Sequence, residues 1–208
     1  MVGRTCSEHT KQFGYIMKEI LLIGGGGHCK SVIDVIEQEG KFQIVGIIDK
    51  AELLGSNVLG YSVIGIDSDL EELSKKYSYA LVTIGQIKSS KLRKGLFDLA
   101  KKAGFTLPSI VSPRAYISKT AIIGNGVVVM HDVLINANAS IGDNCIVNSK
   151  ALIEHDAKVF EHCHISTNTT INGGVVIESG CFIGSGAVIR DSISIKKNSF
   201  IKAGSLIK

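Results

Sequence analysis

From Val111 to Ile207 the chain obeys a rule of period six: residue 111 and every sixth residue after it is Val or Ile, seventeen times without a break. Four places after each, from Ala115 through Cys145, Ala157, Cys163 and Ala187 to Ser205, a second site holds only Ala, Val, Cys, Thr, Ser or Ile. Neither a helix of 3.6 residues per turn nor a strand of alternating faces has this period, so the backbone must turn a corner every six residues. β-Branched side chains suit the pleated inner wall of such a coil, and the small residue fits the corner. Three walls of six close a triangular coil of eighteen residues, and the run makes a little over five coils, stacked at roughly 4.8 Å per rung as in a sheet. The expectation is a hexapeptide β-solenoid over residues 109–208.

The first half follows different rules. Residues 1–16 are polar and aperiodic and read as a disordered leader. The apolar run Glu19–Ile23 then leads into Gly24-Gly25-Gly26-Gly27-His28, a stretch of helical spacing ending at Gly40, and a second apolar run from Phe42 to Ile48 closed by Asp49. Strand, glycine loop, helix, strand and terminal acid make a βαβ unit of the Rossmann kind. The loop amides and helix N-terminus can bind phosphate, or Gly24–Gly27 can be no more than a tight strand-to-helix turn. Cys29 stands where a dinucleotide fingerprint needs its third glycine, which argues against NAD and leaves a nucleoside diphosphate open. A short strand around Ser62–Ile66, a helix from Asp69 to Lys76, a strand Tyr79–Ile84 ending at Gly85 and a basic helix Lys88–Gly104 complete a small α/β unit over residues 17–108. Leu107-Pro108 makes the junction.

A net charge of +4 without a dominant basic cluster does not suggest nucleic acid, although it suits phosphorylated ligands. No apolar run approaches a membrane span and no signal-peptide core is visible, so a cytoplasmic protein is expected. Cys145, Cys163 and Cys181 are eighteen apart and should stack at one corner as small apolar side chains. No compact set of three or four metal ligands is apparent, so no metal is expected.

Of six histidines, His155, His162 and His164 fall within ten residues, all at outward phases of the six-residue repeat. They are either exposed histidines on a polar surface or working groups. His155 and His164 are nine apart, half a coil, which puts them on opposite sides of one rung, on the order of 15 Å apart at ~3.3 Å per residue. If both serve one site, that site lies in a groove between neighbouring solenoids of a cyclic oligomer. Gly173, eighteen after His155, should leave open space beside the imidazole.

In the glycine loop with His28, in Ile47-Ile48-Asp49, in Ile84-Gly85, and above all in Asn148-Ser149-Lys150-Ala151-Leu152-Ile153-Glu154-His155 with His164 nine later, the chain resembles the bacterial sialic-acid-type sugar acyltransferases. These comprise sialic acid O-acetyltransferases and UDP-4-amino-sugar N-acetyltransferases. The resemblance, which runs from about Met17 to the end, implies a left-handed parallel β-helix and acetyl transfer from acetyl-coenzyme A between subunits of a homotrimer. It implies His155 as general base, oriented by Asp156, and His164 of a neighbouring subunit, with backbone amides near Gly173 and Ala203, holding the coenzyme and stabilising the oxyanion. It implies Gly26, Gly27, His28, Asp49, Gly85 and Asn148 as residues that bind the sugar nucleotide or sugar. Lys50 and Gln86 depart from the amino-sugar pattern, and Ile165–Asn168 with Ile171–Gly173 resembles the sialic acid branch. N-acetylation of a UDP-amino sugar for glycan biosynthesis, O-acetylation of a sialic-acid-like sugar and a non-catalytic trimeric scaffold therefore all stand as readings.

Overall fold

A computed structural model describes residues 17–208; the expected leader, 1–16, lies outside the described residues. The α/β unit is a five-stranded sheet of order β3-β4-β2-β1-β5, from β1 (Lys18–Ile23), β2 (Phe42–Ile48), β3 (Asn57–Val58), β4 (Tyr61–Gly65) and β5 (Tyr79–Val82). β1 pairs in parallel with β2 and β5, and β2 with β4, while β3 folds back antiparallel on β4. The central strand β1 is buried from Ile20 to Ile23, which is why it reads as an unbroken apolar run. Helix α1 (Gly27–Glu39) starts within the glycine loop, four residues earlier than its periodicity suggests, because the first turn carries Gly27 and His28 rather than apolar residues. Gly24 has φ +102° and a Cβ there would lie 2.1 Å from Ile84 Cγ2, so no other residue fits the turn. Helices α2 (Leu70–Ser74) and α3 (Lys91–Ala103) cover the opposite face.

The second half is a parallel β-helix of seventeen two-residue strands, β6 (Ile110–Val111) to β22 (Leu206–Ile207), one every six residues. They form three parallel sheets, and partners within a sheet are eighteen residues apart, as in Leu134↔Leu152↔Thr170↔Val188. Both six-residue lines point inward and form a single core, including the buried ladder Cys145, Cys163 and Cys181. Each of these thiols donates to a corner carbonyl, at Phe160, Glu178 and Lys196 respectively, and hydrogen bonding to the neighbouring thiol of the ladder, with burial after it, raises the Cys163 and Cys181 thiol pKa values. A third line completes the repeat: from Gly126 to Gly204 every sixth residue has a left-handed backbone, with φ between 56° and 75°. Gly, Asn and Asp fill most of these corners, the residues that tolerate this geometry.

The two halves are not packed as separate bodies. Ile110, Val128 and Met130 of the solenoid belong to the same buried cluster as α1 and β1, so the core runs through the expected junction at 108. One clasp joins Asp34 of α1 to His131 Nε2 at 2.8 Å, with Ser112 Oγ 2.7 Å from Nδ1 of the same ring. The other is Arg93, 1% exposed, whose guanidinium donates to the carbonyls of Val82, Ile84 and Asn144. Burial brings its pKa down to about 10, and its Nη2 has no partner among the described residues.

Candidate active site

The predicted residues separate into two groups. The first lies at the corner between the sheets of β13 (Leu152–Ile153) and β14 (Lys158–Val159). Here His155 Nδ1 is 2.8 Å from Asp156 Oδ2, and Asn138, one coil earlier, donates to Asp156 Oδ1 at 2.6 Å. A carboxylate only accepts, so Nδ1 carries the proton and Nε2 is the free nitrogen. The hydrogen bond to Asp156 raises the His155 pKa above its ordinary 6.5. Asp156 is held below its ordinary value by Asn138 first and His155 second. Asp156 also occupies a left-handed corner, with φ 61°, so its residue type has a conformational reason as well as a chemical one. The space expected beside Gly173 is filled by the imidazole itself: a Cβ at 173 would lie 2.8 Å from His155 Cε1.

The second group lies where the α/β unit covers the solenoid. Nδ1 of His164 is 2.5 Å from Gln86 O, its Nε2 is 3.4 Å from Asn148 Nδ2, and its ring meets Phe182 edge-on at 5.2 Å between centroids. His162 faces Asn144 at 3.0 Å and the edge of Phe97. The outward phase of these two histidines does not put them in solvent, because the segment after β5 and α3 pack over them; both are under 10% exposed. Burial holds His164 down at about 4 and lowers His162. His28 is neighbour to this group, its Cβ 3.7 Å from where a Cβ of Gly85 would be. Burial, then the charges of Arg93 and His164, bring its pKa to about 3, and its buried Nε2 has no partner among the described residues. Gly26 and Gly27 are exposed at the start of α1, with nothing within 4 Å of a Cβ at either. Asp49 accepts from Gly25 N at 2.6 Å through Oδ2, which ties it to the glycine loop, while Oδ1 accepts from Lys50 N at 2.8 Å, the next residue along. Ala203 is exposed on the last coil, at the corner that carries Asn148 three coils earlier, and its neighbour Gly204 bonds back to Ser185 O.

His155 with Asp156 and Gly173 thus stand apart from His164, Asn148, His28 and Gly85 within one chain. Gln86, Arg93 and Asn138 were not singled out by sequence reasoning as site residues. Asn138 was within its reach, being eighteen before Asp156, whereas Gln86 and Arg93 depend on how the two halves dock. Among the described residues no group of three or more His, Cys, Asp or Glu side chains could hold a metal ion, and no helix is long and apolar enough to cross a membrane.

A hexapeptide β-helix with a Rossmann-like unit over one face and a histidine–carboxylate pair at an open corner defines a hexapeptide-repeat transferase. Residues 19–98 match the PglD N-terminal domain family, and residues 156–191 and 174–208 match the bacterial transferase hexapeptide (six repeats) family. A mutant of perosamine N-acetyltransferase from Caulobacter crescentus, in complex with CoA and GDP-perosamine, superposes with TM-score 0.86 at 32% identity over 93% of this chain and 90% of that one. The acetyltransferase domain of PglB from Neisseria gonorrhoeae FA1090, in complex with acetyl coenzyme A, gives TM-score 0.84 at 30% identity over 92% and 93%. WeeI from Acinetobacter baumannii AYE, at 22% identity and TM-score 0.51, shares the fold. A search of curated protein sequences gave no match. The chain belongs to the left-handed β-helix, acetyl-CoA-dependent sugar acetyltransferase family.

Proposed function

We propose that this protein transfers the acetyl group of acetyl-coenzyme A to the amine of a nucleotide-linked amino sugar, with His155 as general base. The observation that carries this reading is the His155–Asp156 pair, whose free Nε2 and raised pKa suit removal of a proton from an attacking amine near neutral pH. When bound, the coenzyme supplies the acetyl group as a thioester. Asp156, tied to Asn138, holds the imidazole in the Nδ1–H tautomer, so Nε2 accepts the proton as the amine attacks. The new C–N bond replaces the thioester C–S bond directly, with no nucleophilic side chain, and coenzyme A leaves as the thiol on taking the proton held by His155. Residues 17–108 serve as the sugar-nucleotide unit, with the glycine loop and the N-terminus of α1 facing the diphosphate. Residues 109–208 carry the acyl-transfer unit.

The working assembly is a homotrimer. Of the three outer faces of the solenoid, the one bearing β9, β12 and β15 is covered by α1 and its neighbours. The face bearing Tyr116, Leu134, Leu152, Thr170, Val188 and Leu206 carries an uncovered ladder, apolar except at Thr170, with Tyr116 62% and Leu206 54% exposed. This face is flanked on one side by the His155 corner and on the other by the Asn148 corner. Head-to-tail packing about a threefold axis brings the His155 corner of one subunit against the Asn148 and His164 side of the next.

The nucleotide has two readings. Family resemblance favours uridine diphosphate. The GDP-perosamine bound by the Caulobacter relative, together with Lys50 and Gln86 in this chain, favours testing guanosine beside it. The experiment is release of coenzyme A from acetyl-coenzyme A with UDP- and GDP-linked amino sugars and with free sialic acids. Turnover on an amino sugar, falling about 10²- to 10⁴-fold in His155→Ala, is the expected result. Full activity in His155→Ala removes the base assignment, and turnover confined to sialic acids replaces amide formation by O-acetylation.

A further inference from the structure

The protonation of His164 is settled by its partner. Nδ1 faces the backbone carbonyl of Gln86 at 2.5 Å, and a carbonyl can only accept, so Nδ1 carries the hydrogen. Burial keeps the ring from taking a second proton at neutral pH. Nε2 therefore holds the ring's lone pair, free to accept. Its polar neighbour is the Asn148 side-chain amide at 3.4 Å, at the far edge of hydrogen-bonding distance, and that amide is oriented by Ser149 N donating to Asn148 Oδ1 at 2.8 Å.

Gln86 cannot readily move away. Its side-chain amide donates to His162 O at 3.0 Å and Cys181 O at 3.3 Å, and Arg93 holds the carbonyl of Ile84 two residues before it. Phe182 packs edge-on against the imidazole and sets its plane. Carbonyl, arginine and aromatic ring together leave the imidazole one orientation and one tautomer. The oxyanion-stabilising role that the family resemblance implies requires an N–H at Nε2, and this arrangement places a lone pair there.

We infer that His164 is a fixed hydrogen-bond acceptor that takes an N–H of the bound ligand, and that Gln86 is the positioning residue that fixes it. Two ligand groups have that chemistry: an amide of the coenzyme's pantetheine arm and the amine of the acceptor sugar. The choice between them rests on the proposed acetyl-transfer reading; the tautomer does not. His155 and His164 then divide the work, one imidazole with a raised pKa accepting a proton outright and one with a depressed pKa accepting only a hydrogen bond.

The test begins with long-range proton–nitrogen correlation spectra of ¹⁵N-histidine-labelled protein at pH 7.5, with the His164 signals assigned by their loss in His164→Phe. The expected pattern is that of the Nδ1–H tautomer in the wild type, moving toward Nε2–H, which free imidazole prefers, in Gln86→Ala. Phe at 164 keeps the contact with Phe182 but offers no lone pair. If the coenzyme is the donor, the Kd for coenzyme A rises about three- to tenfold in His164→Phe, the loss expected for one neutral hydrogen bond, and the KM for the sugar holds. If the amine is the donor, coenzyme binding holds and kcat/KM for the sugar falls by the same factor. An Nε2–H signal in the wild type overturns the inference, as does a His164→Phe protein unchanged in both affinities. Coenzyme binding with the Nδ1–H tautomer but no acetyl transfer would remove the proposed reaction and leave this assignment standing. Should His164→Phe fail to fold, Gln86→Ala carries the same two binding comparisons.

Discussion

Two residues lie directly against the proposed base, Gly173 beside the imidazole ring and Asp156 at Nδ1. Gly173 has no left-handed backbone, so alanine costs the main chain little there, but its Cβ would meet His155 Cε1 at 2.8 Å and push the exposed imidazole aside. Gly173→Ala is expected to leave the thermal midpoint unchanged within a degree or two while kcat falls about tenfold or more, since a small misplacement of a reacting group is expensive. Parallel melting curves and turnover measurements separate the two effects. Asp156 acts through the proton balance. The proposed base role requires a neutral His155, and its pKa is raised above 6.5, so kcat/KM should climb with pH through a value above 6.5 and then level off. Asp156→Asn keeps a residue that tolerates the corner's φ of 61° but removes the charge that favours imidazolium. The acid limb should therefore move down toward 6.5 while the plateau drops about tenfold, less than on loss of the base itself. A limb that stays in place would mean that another group titrates.

At the scale of the element, the corners decide how well the solenoid closes. Fourteen consecutive corners are left-handed, and Lys150 sits in one of them with φ 61°, a geometry that costs an ordinary L-residue about 1–2 kcal/mol. Lys150→Gly is expected to raise stability by about 1 kcal/mol, partly offset by chain entropy, and equilibrium denaturation in urea reads it as a higher midpoint with unchanged slope. These corners illustrate what a sequence discloses. The Val and Ile line and the small-residue line are legible because each inward position recurs with the same neighbours above and below it. The corner line is legible at Asn138, Asn144, Asn168 and Asn198 and obscured at Lys150, His162 and Ser192, where an ordinary residue bears the strain. The seam is invisible for another reason. Arg93 lies in a helix rich in lysine and looks like a solvated charge, and His164 lies at an outward phase; both are buried because the α/β unit docks on that face, and no periodicity encodes a docking. The glycine loop is intermediate, since its bend is plain in the sequence while the tie of Asp49 to Gly25 is not.

For the whole molecule, the separation of His155 from His164, Asn148 and His28 within one chain is the main constraint on function. If His155 is the base and the His164 and Asn148 side holds the sugar, as proposed, each serves only a neighbouring subunit, and the proposed trimer is then a condition of activity rather than an accessory to it. The uncovered ladder from Tyr116 to Leu206 lies between these two corners, which is the placement a shared site needs. The consequence can be measured without a structure of the assembly. His155→Ala removes the base from one side of each interface, and a glycine-loop variant such as Gly26→Trp blocks the sugar nucleotide on the other; each alone should be nearly inactive. Unfolded together and refolded as mixed trimers at equal amounts, they should regain about a quarter of wild-type activity, because in a head-to-tail ring each interface draws its two halves independently. Separately refolded samples mixed afterwards should regain none until subunits exchange. Sites built within one chain would give no recovery in either mixture, whatever the oligomeric state found by light scattering, so the comparison distinguishes a shared active site from a trimer that merely holds three complete ones.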